Sequence, residues 1–140
     1  MNTRTDRAER GIATAIEILQ AGGVVALPTE TVYGLAGDAL SSDACAAIFE
    51  AKDRPLSDPL IVHLPSLEWL PRLTSPFPLA LALAEKFWPG PLTMVLQRSP
   101  SVPDIVTAGQ DTVAVRMSAH PAFRSVVEGF GKPLAAPSAN

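Results

Sequence analysis

Proline decides what the middle of this chain can be. Fourteen prolines occur in 140 residues, and ten of them fall between Pro55 and Pro103. That is about twice the ordinary share, yet they alternate with apolar runs instead of forming a low-complexity tract. Each one lacks an amide proton and fixes φ, so no helix interior or central strand can pass through it. The segments left between them are short: Leu60–Leu64, Leu79–Trp88 and Leu92–Leu96. Brief elements joined by stiff connections are therefore expected, within a length suited to one domain.

Composition narrows the function classes. With 47% hydrophobic residues the chain can bury a core and is not disordered. Its longest apolar run, Leu79–Ala84, is far short of the ~20 residues needed to span a membrane. The polar start, MNTRTDRAERG, has no apolar stretch behind its arginines, so the expected location is cytoplasmic. Cys45 is the single cysteine, which excludes an internal disulfide and a cysteine-based zinc site. A net charge of −3 gives no general attraction to nucleic acid, so an anion site must be a local cluster.

Periodicity gives an alternation of helices and strands. Asp6 and Glu9 signal a helix start, Ile12, Ala15, Ile16 and Leu19 form one apolar face, and Gly22-Gly23 ends it. Val24–Leu27 reads as a buried strand. Ser41 or Ser42 caps a second helix with Ala44, Ala47, Ile48 and Ala51 inside. Strands over Leu60–Leu64, Leu92–Leu96, Val113–Val115 and Leu134–Ala136, and helices over Leu79–Trp88 and after Ser118, complete an α/β layered domain.

Gly-rich phosphate loops, dinucleotide fingerprints, zinc-ligand spacings and nucleophile elbows are all missing. Three short segments instead place polar residues two apart beside a proline: Pro28-Thr29-Glu30-Thr31, Lys52-Asp53-Arg54-Pro55 and Pro137-Ser138-Ala139-Asn140. The residue before proline is pushed toward extended backbone. In extended chain Lys52 and Arg54 would project together, as a pair of cations suited to phosphate. A solvated loop neutralised by Asp53 and Asp58 fits the same spacing. Thr29 and Thr31 follow a strand end, where α/β sheets bind ligands, although from the sequence alone ordinary turn chemistry is the better explanation. His63 shares a strand face with Ile61, a placement also common for a core histidine. Thr112 and Arg116 share a face opposite Val113 and Val115, and a buried arginine there requires a partner. Phe87-Trp88 reads as core packing.

Taken in order, five motifs carry a resemblance: Pro28-Thr29-Glu30-Thr31-Val32-Tyr33-Gly34-Leu35, Lys52-Asp53-Arg54-Pro55 with Pro59-Leu60-Ile61-Val62-His63, Trp88-Pro89-Gly90-Pro91-Leu92-Thr93, Val113-Ala114-Val115-Arg116, and Ser138-Ala139-Asn140. From about Gly11 to Asn140 the chain resembles the YrdC-like family of threonylcarbamoyl-adenylate synthases. The resemblance implies a twisted mixed sheet with flanking helices and a concave pocket. It implies an enzyme, a nucleotidyltransferase joining L-threonine, bicarbonate and ATP with magnesium as helper ion, and releasing pyrophosphate. Thr31, His63 and Arg116, with the Ala136 backbone, would hold threonine. Arg54, Asp58, Thr112 and Ser138 would contact ATP, with Lys52 and Asn140 completing their motifs. Many relatives carry asparagine where Asp58 stands, and a carboxylate is suited to a base, a sugar or a metal rather than to phosphates. No residue is expected to act as a nucleophile.

The same resemblance implies partner proteins that pass the threonylcarbamoyl group to tRNA, at most weak RNA contact, and no membrane. Relatives continue past the Ser138-Ala139-Asn140 motif, so residues 1–140 are expected to be one domain incomplete at its C-terminus, with Leu134–Ala136 left as an open sheet edge. Two other functions compete: an RNA- or nucleotide-binding module of this fold without turnover, and the carbamoyl-transfer module of hydrogenase-maturation proteins. The first lacks an aromatic-basic stripe. The second would be accompanied by zinc-finger-like and acylphosphatase-like segments.

Overall fold

The computed structural model describes residues 3–30 and 33–137. Six strands form one mixed sheet: β1 (Val25–Pro28), β2 (Tyr33–Asp38), β3 (Ile61–His63), β4 (Met94–Gln97), β5 (Thr112–Arg116) and β6 (Leu134–Ala136). Their spatial order is β1-β2-β6-β3-β5-β4. Only β3 and β5 run parallel, and every other neighbouring pair is antiparallel. The helices are α1 (Thr3–Gln20), α2 (Ser42–Lys52), α3 (Leu70–Leu73), α4 (Pro78–Phe87), α5 (Asp104–Thr107) and α6 (Pro121–Phe130), with a 3-10 turn at Leu67–Trp69. The mixed α/β sheet with flanking helices agrees with the sequence reading.

Residues opposite one another in register share a face, so the pairing divides the sheet cleanly. Val62, Met94, Leu96, Val113, Val115 and Ala135 line one face and pack against α2, α3, α4 and α5 in the larger core. On the other face Ala36, Leu134 and Ala136 lie under α1 and α6, which contribute Ala15, Leu19, Phe123, Val126, Val127 and Phe130. Those two helices cover β1, β2 and β6. Farther along the same face, β3, β5 and β4 present Ile61, Ala114, Thr112, Val95 and Gln97, none of them fully buried. Val95 is 65% exposed although its register partner is Ala114. Half of one sheet face is thus an open shelf.

Several expectations need correction. Leu134–Ala136 is not an edge: β6 is paired with β2 on one side and β3 on the other, and the edges are β1 and β4. Burial on both faces explains its continuous apolar run. Lys52 and Asp53 are not extended, because Lys52 closes α2 and Asp53 caps it in the left-handed region at φ 48°. The inner face of α2 is Ala44, Cys45, Ile48 and Phe49, while Ala51 is exposed. Ser41 does cap α2, accepting the Ala44 amide at 3.1 Å. Ser118 does not cap α6; His120 takes that position, its Nδ1 accepting the Ala122 amide at 3.2 Å. Trp88 packs inward and donates to the Leu92 carbonyl at 2.7 Å, but Phe87 is exposed.

Candidate functional site

The shelf has two polar ends, set by strand direction. β3 and β5 run parallel, so their C-terminal residues, His63 and Arg116, lie side by side. Thr112 opens β5 at the other end, level with the chain entering β3. Arg116 lies four residue steps along β5 from Thr112, about 13 Å at about 3.3 Å per step.

At the first end, two polar atoms are buried with no hydrogen-bond partner among the described residues: His63 Nδ1 and Arg116 Nε. His63 is 3% exposed, and its ring lies 4.7 Å from that of Phe123 at a tilt of 47°. Burial, reinforced by the positive Arg116 and opposed by Glu30, lowers its pKa to about 3. It is therefore neutral at pH 7. The Arg116 side chain is 14% exposed and its Nη2 pairs with Glu30 Oε2 at 3.0 Å. Glu30 also accepts the Ser118 hydroxyl at 2.5 Å and the Ala119 amide at 3.3 Å. Burial alone would raise the Glu30 carboxyl, but these hydrogen bonds from Ser118, Arg116 and Ala119 hold it at about 2. The partner that a buried arginine requires is thus Glu30, in the loop between β1 and β2.

Glu30 and Ser118 are the residues that sequence reasoning missed as members of this cluster. The only available signal was a carboxylate two residues past a strand-ending proline, next to a threonine that drew the attention. Nothing local links Glu30 to a serine 88 positions away.

At the second end, Arg54 Nη2 donates to the Pro59 carbonyl at 3.0 Å and Nε donates to that of Asp58 at 3.3 Å. Arg54 therefore ties the loop between α2 and β3 to itself. Lys52 and Asp58 are exposed nearby in that segment, and Thr112 is exposed at the strand start. A small cavity of about 100 Å³ is lined by Pro59, Thr107, Gln110, Thr112, Ala114 and Val95 among others. Ala136 is buried and lies opposite Ile61 on β3, between the two ends. The structure thus brings His63 and Arg116 together, and Arg54 with Asp58. Thr31, Ser138 and Asn140 lie outside the described residues.

The neutral, buried state of His63 makes the fold sensitive to acid. Its pKa in the fold lies below the ordinary value of 6.5, so the unfolded chain takes up the proton first. This contribution is complete above pH 6.5 and is lost as pH falls toward 3, at about 1.4 kcal/mol per pH unit. At pH 5 the loss should be about 2 kcal/mol. Urea unfolding at pH 7 and pH 5 should show that difference shrinking in His63→Gln. An equal loss in both proteins would mean that His63 is not buried neutral.

The family model Sua5_yciO_yrdC, described as "Telomere recombination", matches residues 17–140. Threonylcarbamoyl-AMP synthase of Pyrococcus abyssi is 49% identical over 141 residues, covering 100% of this chain and 42% of that protein. The protein of that name from Bacillus subtilis is 48% identical over 92% of this chain and 38% of its own length. A shorter one, from Coxiella burnetii, is 36% identical over 96% of this chain and 73% of its own length. The chain therefore spans well under half the length of the first two relatives. Among solved structures, Pyrococcus abyssi Sua5 complexed with L-threonine superposes with a TM-score of 0.89 at 50% identity, over 94% of this chain and 39% of that one.

Proposed function

The chain belongs to the Sua5/YciO/YrdC family, and on that premise we propose that it takes part in forming threonylcarbamoyl-AMP from L-threonine, bicarbonate and ATP, with release of pyrophosphate and water. The observation that carries this reading is a pair of buried polar atoms, His63 Nδ1 and Arg116 Nε, without partners among the described residues, at adjacent strand ends beside an open shelf. Unsatisfied buried polar groups are costly. A ligand carboxylate on Arg116 and a hydroxyl or carboxylate near His63 would satisfy both. L-threonine carries these groups, and a relative of this chain has been solved with that amino acid bound.

Thr31 and the Ala136 backbone would complete the threonine end. ATP would occupy the Thr112 end, with Arg54, Lys52, Asp58, Ser138 and Asn140 as its contacts. Magnesium would be carried by the phosphates of ATP.

The chemistry asks little of the protein beyond placement. Threonine and bicarbonate give a carbamate, whose carboxylate oxygen attacks the α-phosphorus as the bond to the β-phosphate oxygen breaks. No protein nucleophile is required, only cations and donors where charge accumulates on phosphate oxygens. Arg54 and Lys52 would serve there. The enzyme would be a nucleotidyltransferase acting in the cytoplasm, supplying proteins that move the threonylcarbamoyl group to tRNA. Relatives named as synthases weigh against a module that binds nucleotide without turnover.

Pyrophosphate release tests the reaction. ATP incubated with the protein and magnesium should yield pyrophosphate only when both threonine and bicarbonate are present. Release that is indifferent to threonine would contradict the proposal.

A further inference from the structure

Among the described residues, three groups fix the Glu30 side chain, and one of them is the arginine that it neutralises. Arg116 Nη2 lies 3.0 Å from Oε2. The Ser118 hydroxyl donates to Oε1 at 2.5 Å and the Ala119 amide donates to Oε2 at 3.3 Å. Ser118 is fully buried and accepts the His120 amide at 3.3 Å, so this attachment belongs to the connection between β5 and α6. A carboxylate that merely stood in for a ligand on Arg116 would have no such second anchorage, and would leave when a ligand arrived. Glu30 is built to stay. Its hydrogen bonds also keep it ionised well into acid.

A charge balance follows. Arg116 contributes one positive charge and Glu30 one negative charge, while the buried His63 is neutral at pH 7. Arg124, the cation of α6, is committed to the carbonyls of Leu64 and Pro65 and to the carboxylate of Glu128. The cradle formed by His63, Arg116 and Glu30 therefore carries no net charge. A ligand with a lone carboxylate meets attraction from Arg116 and repulsion from Glu30. An amino acid whose carboxylate paired with the Arg116 guanidinium would bring its ammonium, on the adjacent carbon, toward the Glu30 charge that Arg116 holds at 3.0 Å.

We propose that Glu30 is a specificity-determining residue: as a fixed negative charge beside Arg116, it makes the cradle select a zwitterionic amino acid over a carboxylate of the same shape that lacks the amine. This rests on the reading of His63 and Arg116 as the threonine end of the site, and it adds to that reading a residue facing the amino group.

Calorimetric titration of the 140-residue chain with L-threonine and with 3-hydroxybutyrate, which keeps the carboxylate and hydroxyl but lacks the amine, tests it. The wild-type chain should prefer threonine at least tenfold. In Glu30→Gln that ratio should fall at least tenfold, because the cradle becomes cationic and accepts the simple anion more readily. Glu30→Asp, which retains the charge, should keep most of the preference. Threonine binding with the same ratio in wild type and Glu30→Gln would overturn this inference alone. Equal affinity for the two ligands in the wild-type chain would overturn it without any variant having to fold. A wild-type chain that binds neither ligand would overturn the threonine assignment itself, and this inference with it.

Discussion

Phe123→Ala should destabilise the chain by about 3–5 kcal/mol, the usual result of removing a fully buried aromatic ring from a core. Phe123 has no exposed surface and belongs to the cluster in which α6 meets Leu134 and Ala136. It also touches the site, since its ring and that of His63 are 4.7 Å apart. Deleting it removes the packing that holds α6 on the sheet and the wall that keeps His63 dry. The expected results are a lower urea midpoint at pH 7 and weaker threonine binding in the fraction that remains folded. A loss under about 1 kcal/mol would mean that α6 is not anchored there.

The same helix shows what was legible in the sequence. Phe123, Val126 and Val127 fall on one face at helical spacing, and the structure buries all three. Alternation on β5 assigned Val113 and Val115 to one face and Arg116 to the other, as the register requires. What could not be read was anything depending on distant pairing. β2 was invisible because Tyr33–Asp38 contains two glycines and a single large aliphatic side chain, Leu35. Gly37 is there for space: a Cβ would come within 3.3 Å of both Ile48 and Val24. Local propensity carries no record of that crowding, which arises only when α2 packs on the sheet. The central position of β6 was lost for the same reason, since strand order depends on long-range pairing. Glu30 was passed over because its partners, Arg116 and Ser118, come from the other end of the chain.

The lysine–arginine motif is neither extended chain nor wholly a loop: Lys52 is the last residue of α2, and Arg54 lies in the loop that follows. Helical hydrogen bonding carries α2 through Lys52, and the left-handed Asp53 then turns the chain, its amide donating to the Glu50 carbonyl. Proline at position 55 restricts Arg54 alone, because the steric conflict acts on the residue immediately before it. Arg54 still reaches the segment entering β3, where its guanidinium grips two carbonyls beside the start of β5.

The central claim is that one open sheet face serves two ligands from opposite ends. Arg116→Ala removes the arginine proposed to hold threonine and leaves Glu30 without its cation. Losing hydrogen bonds to a charged ligand group should weaken threonine binding by about 1.5–3 kcal/mol, at least tenfold, with a much smaller change for ATP. Arg54→Ala removes a cation from the other end, beside the start of β5 and about 13 Å of strand from Arg116, and should show the opposite bias. Its remaining threonine affinity should stay close to that of the unaltered protein, because sites this far apart with no shared partner act independently. Calorimetric titration of both variants with L-threonine and with magnesium ATP is the direct measurement. The account predicts a crossed pattern, with each variant losing mainly one ligand. Equal losses of both ligands in both variants would contradict it.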